Sequence, residues 1–153
     1  MKIDKEIVSK IARDYIFISG VIDVDVKYFK KRIDEGIKAS SINYKTNVYG
    51  KHTEWDFFKK DKEFVVLLFQ IIDHIETLKI DLQRFFLNSS WGIIEGIGDH
   101  TQRHHHEPNY LSGVLYLNNY SRSRPIRHLL LFFSSPHQKK SYRERKVCYF
   151  LQF

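Results

Sequence analysis

Between Gly98 and Asn118 the chain carries four of its eight histidines, His100, His104, His105 and His106, followed at once by Glu107. Imidazole is the commonest side-chain ligand for transition metals, and a carboxylate often completes such a site. In an extended strand, residues two apart point to the same side. His104 and His106 therefore share a side, and so do His105 and Glu107; spacing alone leaves both pairs open. The plain alternative is a solvated polar loop of a hairpin that holds nothing.

The flanks of the cluster carry a wider pattern. Trp91, Gly98-Asp99, His104-x-His106 and Ser112-Gly113-Val114-x-Tyr116-Leu117 follow one another at fixed distances. Together they resemble the iron-dependent 2-oxoglutarate oxygenases, and more narrowly a group of bacterial and phage members. The likeness is confined to the chain from Trp91 onward and is best up to Asn118. It implies a double-stranded β-helix, or jelly roll. It also implies Fe(II) held by His104, His106 and a distal His137, with His128 as the competing third ligand. Arg145, or alternatively Arg143, then anchors the far carboxylate of 2-oxoglutarate with help from Tyr116. A guanidinium suits that task because its planar fork binds a carboxylate bidentately. The implied reaction consumes 2-oxoglutarate and O2, releases succinate and CO2, and hydroxylates a second substrate; no acid or base of the protein is part of the motif.

The chain departs from these relatives in two ways. The wider superfamily has H-x-D or H-x-E where this chain has H-x-H. Using His105 and Glu107 restores the usual set but shortens the spacing to Ser112 by one residue. Relatives also carry a further strand or hairpin after the Tyr116-Leu117-Asn118 strand. Here NYSRSRPIRH alone leads to Leu129. That shortening implies an incomplete roll, with bare sheet edges and irregular pairing among the C-terminal strands.

The elements that must position these residues change character along the chain. Residues 4–15 have helical spacing, with Ile7, Val8, Ile11 and Ala12 on one side. Residues 16–22 are rich in β-branched and aromatic types and read as a strand. Asp23 or Asp25 caps a helix reaching about Lys38, with Tyr28, Phe29, Ile33 and Ile37 as its apolar stripe. Residues 40–53 read as a loop, and Thr53 and Asp56 precede a helical turn around Trp55 and Phe58. The strongest helix spans 61–78. Phe64, Val65, Leu68, Ile71, Ile72 and Ile75 make one face, and Val66, Leu67 and Phe69 widen it, so the helix reads as largely buried. His74 beside that face reads as a packed or surface histidine. After Leu82 the pattern becomes β: 85–87, 91–97 with a bend at Gly96 and Gly98, the histidine strand, a turn at Pro108-Asn109, then 111–117, 129–133 and 147–153. The expected fold is therefore α+β in a single domain, mainly helical over 1–80 and jelly roll over 82–153, with the N-terminal helices packed on one face.

Composition bounds the function classes. The chain is long enough for one domain, and its apolar fraction of 42% suffices for a core. A lone cysteine, Cys148, excludes an internal disulfide framework and suits a reducing, cytoplasmic setting. The first residues lack the apolar core of a signal peptide, and the run FVVLLFQII is too short to span a bilayer. Charge is concentrated at the end. From Ser121 onward eight basic residues face one acid, and this segment accounts for the whole formal charge of +7. Such a segment either is a solvated terminal region or meets phosphates, as a nucleic-acid-binding module does. Only Tyr142 interleaves with the basic residues, so stacking platforms for bases are lacking. The oxygenase is the favoured reading; a jelly-roll metal binder without catalysis comes second and nucleic-acid binding third.

Overall fold

The structure, a computed structural model, describes residues 7–12, 15–41, 47–77, 86–102, 111–117, 128–133 and 148–152. Runs rich in β-branched residues form its strands, as their restricted χ1 angles favour. In chain order these are β1 (Ile7–Ala12), β2 (Tyr15–Val21), β3 (Val48–Tyr49), β4 (Lys51–His52), β5 (Trp91–Glu95), β6 (His100–Thr101), β7 (Leu111–Tyr116), β8 (His128–Phe133) and β9 (Cys148–Gln152). The helices are α1 (Val26–Ala39) and α2 (Lys62–Thr77). Seven strands form one antiparallel sheet in the order β1-β2-β8-β7-β9-β5-β4, and β3 pairs with β6 in a second. The result is a small α+β fold; among the described residues no barrel closes.

Two expectations are corrected here. The helix expected over 4–15 is strand β1 where it is described, paired along β2 with one register shift between Lys10 and Ala12. Three of its six residues are β-branched, and a helix this short has little stability alone, so the open edge of β2 decides its conformation. Beside its two helices the stretch 1–80 contributes four strands to the two sheets. The irregular pairing expected at the C-terminal end is not found in the described ladders. β8 pairs over six positions with both β2 and β7, and β9 inserts between β7 and β5. The edge of β8 that a shortened connection leaves bare is covered by β2 from the N-terminal part.

Both helices lie on one side of the large sheet. Asp25 caps α1 by accepting a hydrogen bond from the Tyr28 N–H at 2.9 Å. Phe29 and Ile33 are buried and Tyr28 and Ile37 pack beside them, as the apolar stripe predicts. On α2, Phe64, Leu67, Leu68, Ile71 and Ile75 are buried. Leu67 is buried as expected, but Val66 and Phe69 are 53% and 61% exposed, so the apolar face is not widened on their side and the helix is less buried than expected. Phe86, expected in a strand, lies outside any strand and is exposed. Ile18 of β2 and Leu115 of β7 join the helix residues in one core.

Asp61 ties the two helices together. Its carboxylate accepts hydrogen bonds from the Phe64 N–H at the start of α2 (3.1 Å), the Tyr28 hydroxyl (2.8 Å) and Arg32 Nε (3.1 Å). Burial, and then the bond to Asp61, raise the Tyr28 hydroxyl above its ordinary pKa. Arg32 also bonds Glu35, which holds its guanidinium charged more firmly, and stacks over the Phe57 ring. With its neighbours so satisfied, this buried carboxylate serves structure.

Candidate functional site

Directly opposed residues of paired strands share a face of the sheet. Gly20, Leu129, Leu115, Leu151 and Gly92 oppose one another in a row across five strands. This is the helix face: Leu115 lies in the helix-lined core, and a Cβ added at Gly92 would collide with Ile33 of α1. The neighbouring row runs Val21, His128, Tyr116, Phe150, Ile93 and His52, and belongs to the opposite face. Ser112, Val114 and Trp91 share that second face by alternation. Trp91 and Ile93 pack there against Val48 of the second sheet and against Trp55.

The second sheet is reached through glycines. Between β3 and β4 the chain crosses at Gly50, where a Cβ would lie 2.8 Å from the Ile94 carbonyl oxygen. It crosses back after β5 through a turn in which the Asp99 carboxylate accepts from the Gly96 N–H at 2.8 Å and Gly98 takes a φ of +92°. L side chains rarely adopt that conformation, so the bend expected from these glycines is present and has a physical cause. Gln102 donates its N–H to the Asn47 carbonyl at 2.6 Å, which holds the end of β6 on the second sheet. Tyr49 and His100 stack at 4.4 Å on this small sheet. They lie on the side away from Val48 and the main sheet.

The two ends of the main sheet carry different residues. Leu111 opposes Phe133, and Trp91 opposes Gln152, which opposes Val114. At the other end Tyr116 opposes His128 and Phe150, and Glu95 opposes Cys148. Leu111 and Tyr116 are five residues apart on β7, or about 17 Å along the strand.

Of the residues expected to form the site, Tyr116 is described: it is half-buried at the end of β7, on the face away from the helices. His128 opposes it in β8. His104, His105, His106, Glu107, His137, Arg143 and Arg145 lie outside the described residues. The chain distances are nonetheless fixed: His106 precedes Leu111 by five residues, His137 follows Phe133 by four, and Arg145 precedes Cys148 by three. Among the described residues no three His, Cys, Asp or Glu side chains come together to hold a metal ion. No helix among them is long and apolar enough to cross a membrane.

Sequence reasoning did not single out His52 or the indole of Trp91. His52 is buried, its Nδ1 lies 2.9 Å from the Thr53 carbonyl, and its ring packs on Trp55. Trp91 meets the other side of the cluster, edge-on to Trp55 at 4.8 Å, and its buried Nε1–H has no acceptor among the described residues. His52 sits in a stretch that reads as a polar loop, so only the pairing of β4 with β5 brings it to the sheet. No family model, curated protein or solved structure matches the chain.

Proposed function

We propose that the chain is a 2-oxoglutarate- and Fe(II)-dependent oxygenase built on a jelly-roll core, acting on a second substrate in a reducing, cytoplasmic setting. The observation that carries this reading is the pairing of Leu111 with Phe133. It gives the histidine segment before β7 and the His137 segment after β8 a common end of the sheet. Tyr116 belongs to the other end, together with Cys148, from which the chain runs back to Arg145. The segments that carry the candidate iron ligands and the candidate carboxylate anchors thus join the sheet at opposite ends. An elongated dicarboxylate has to bridge that kind of interval.

The topology lends further support to the jelly roll. The chain passes from the main sheet in β5 to the second in β6 and back in β7, and the last strand inserts between β5 and β7. Alternation between two sheets, with a late strand laid between early ones, is how antiparallel rolls and Greek keys are wound. In this reading His104, His106 and His137 hold the iron, with His105 and Glu107 as the alternative pair. When bound, the metal supplies O2 activation coupled to decarboxylation of 2-oxoglutarate. Arg145 and Tyr116 fix the far carboxylate, and the face carrying Trp91, Ile93 and Val114 keeps water from the reacting centre. Calorimetric titration of the metal-loaded protein with 2-oxoglutarate tests the proposal, and absence of binding would refute it.

A jelly-roll metal binder without catalysis is the second reading. It is favoured by the short run 118–127 between β7 and β8, where the resembling enzymes carry a further strand. Iron binding without 2-oxoglutarate binding selects it.

A further inference from the structure

The outward side of α2 carries a pattern that its packing in the core does not explain. Phe64, Leu67, Leu68, Ile71 and Ile75 bury the inward side. On the outward side Lys62, Val66, Phe69 and Asp73 follow at intervals of four, three and four residues. That is the spacing of the a and d positions in a helix–helix seam. All four residues are exposed, Val66 by 53% and Phe69 by 61%. Val65 and Ile72 border the seam and are half-buried, so its middle is apolar. Two large apolar side chains one turn apart, with apolar borders, form a patch, unlike apolar residues scattered singly over a surface. The charges that end the seam gain nothing from the helix dipole, which favours acids in the first turn and bases toward the last.

We propose that this side of α2 is the interface of a homodimer, in which α2 packs antiparallel on α2 of a second copy. A two-fold contact of this kind needs a self-complementary surface. The seam has one: turned about a point midway between Val66 and Phe69, it superposes apolar on apolar and base on acid. Val66 then meets the partner's Phe69, and Lys62 meets the partner's Asp73, which gives an opposite-charge pair at both ends. Parallel pairing would instead set Lys62 on the partner's Lys62 and Asp73 on the partner's Asp73, and like charges in contact are costly. The pattern thus selects the occupant, its direction and its register. Because α2 lies on the helix side of the main sheet, the dimer does not involve the face that carries Trp91 and Tyr116. The inference is independent of the oxygenase reading.

Sedimentation equilibrium of the full chain over a concentration series should show reversible dimers. Phe69→Ser should raise the dimer Kd at least about tenfold. Phe69 is exposed in the protomer, so this change leaves the fold of the separate chain intact. Charge reversal reads direction and register. Lys62→Glu makes both ends of the seam acidic and Asp73→Lys makes both basic, so each variant should self-associate more weakly than the parent. Both substitutions suit the helix dipole, which guards the fold. Mixed in equal amounts, the two variants should recover association as a heterodimer, since an acidic seam then meets a basic one at both ends. A monomer at every concentration up to millimolar chain would overturn the proposal and leave this face to a partner of other chemistry. So would a dimer that survives Phe69→Ser, or a mixture that associates no better than its two components.

Discussion

Leu111 and Phe133 oppose each other at one end of the β7–β8 ladder, while Tyr116 and His128 oppose each other at the other. The ladder therefore separates the two candidates for the third metal ligand. His137 follows Phe133 by four residues, on the side from which the histidine segment enters β7. His128 is held in register with Tyr116, about 17 Å along the strand from Leu111. His137→Ala should abolish metal binding measured by calorimetry, and His128→Ala should leave the affinity within about twofold. A His128→Ala variant that loses the metal would reverse the assignment.

Asp61 should be a large single contributor to stability. Asp61→Ala removes the first-turn acceptor of α2 and leaves the Tyr28 hydroxyl without its partner. We expect a loss of about 2–3 kcal/mol in urea denaturation. Arg32 contributes less to this figure, because its partly exposed guanidinium is screened by solvent and retains Glu35.

Alkaline stability should carry the signature of Tyr28. Its pKa is raised in the folded state, first by burial and then by the bond to Asp61. A raised acid is a proton held more tightly by the folded chain. Its contribution is fully present below the unfolded tyrosine value of about 10 and is lost as pH rises through the folded value. Tyr28→Phe should flatten this alkaline limb in a series of urea melts. Absorbance titration should show one tyrosine fewer ionising late.

The helix–sheet contact at Gly92 and Ile33 should behave as a tight fit. Gly92→Ala drives a methyl into the Ile33 side chain and should cost about 1–3 kcal/mol. Combining it with Ile33→Val should recover part of that loss, because the new methyl gains room. A double-mutant cycle reads the coupling, and strict additivity would mean that α1 does not lie on β5 as described.

Exposure on α2 offers a simple contrast. Phe64→Ala should cost about 3–5 kcal/mol as a buried aromatic. Phe69→Ser, on the exposed side, should stay within about 0.5 kcal/mol of the parent.

Much of this fold was legible in the chain. The stripes of α1 and α2 follow from the 3.6-residue spacing of their apolar residues, and the cap of α1 from Asp25, one of the two aspartates that precede it. β2, β5, β7, β8 and β9 follow from short β-branched and aromatic runs. β1 was not legible as a strand, because Ile7, Val8, Ile11 and Ala12 fit a helical face as well as a pleat, and pairing with β2 is a tertiary fact. The burial of α2 was overread for a related reason: composition showed an apolar helix, but not which side the sheet would leave uncovered at Val66 and Phe69. At the candidate site, the bend at Gly98 follows from its residue type, and Tyr116, named from its motif, lies at the end of β7 on the face away from the helices. His52 and the Trp91 indole were not found, since β4 is two residues long and its partner in the sheet is about forty residues away.

The most direct test of the oxygenase reading is the optical spectrum of the full chain with Fe(II) and 2-oxoglutarate, recorded without oxygen. The account predicts a metal-to-ligand charge-transfer band that requires both additions, vanishes in His104→Ala and His137→Ala, and needs more 2-oxoglutarate in Arg145→Ala. A band absent with both present, alongside calorimetry showing no 2-oxoglutarate binding, would contradict it.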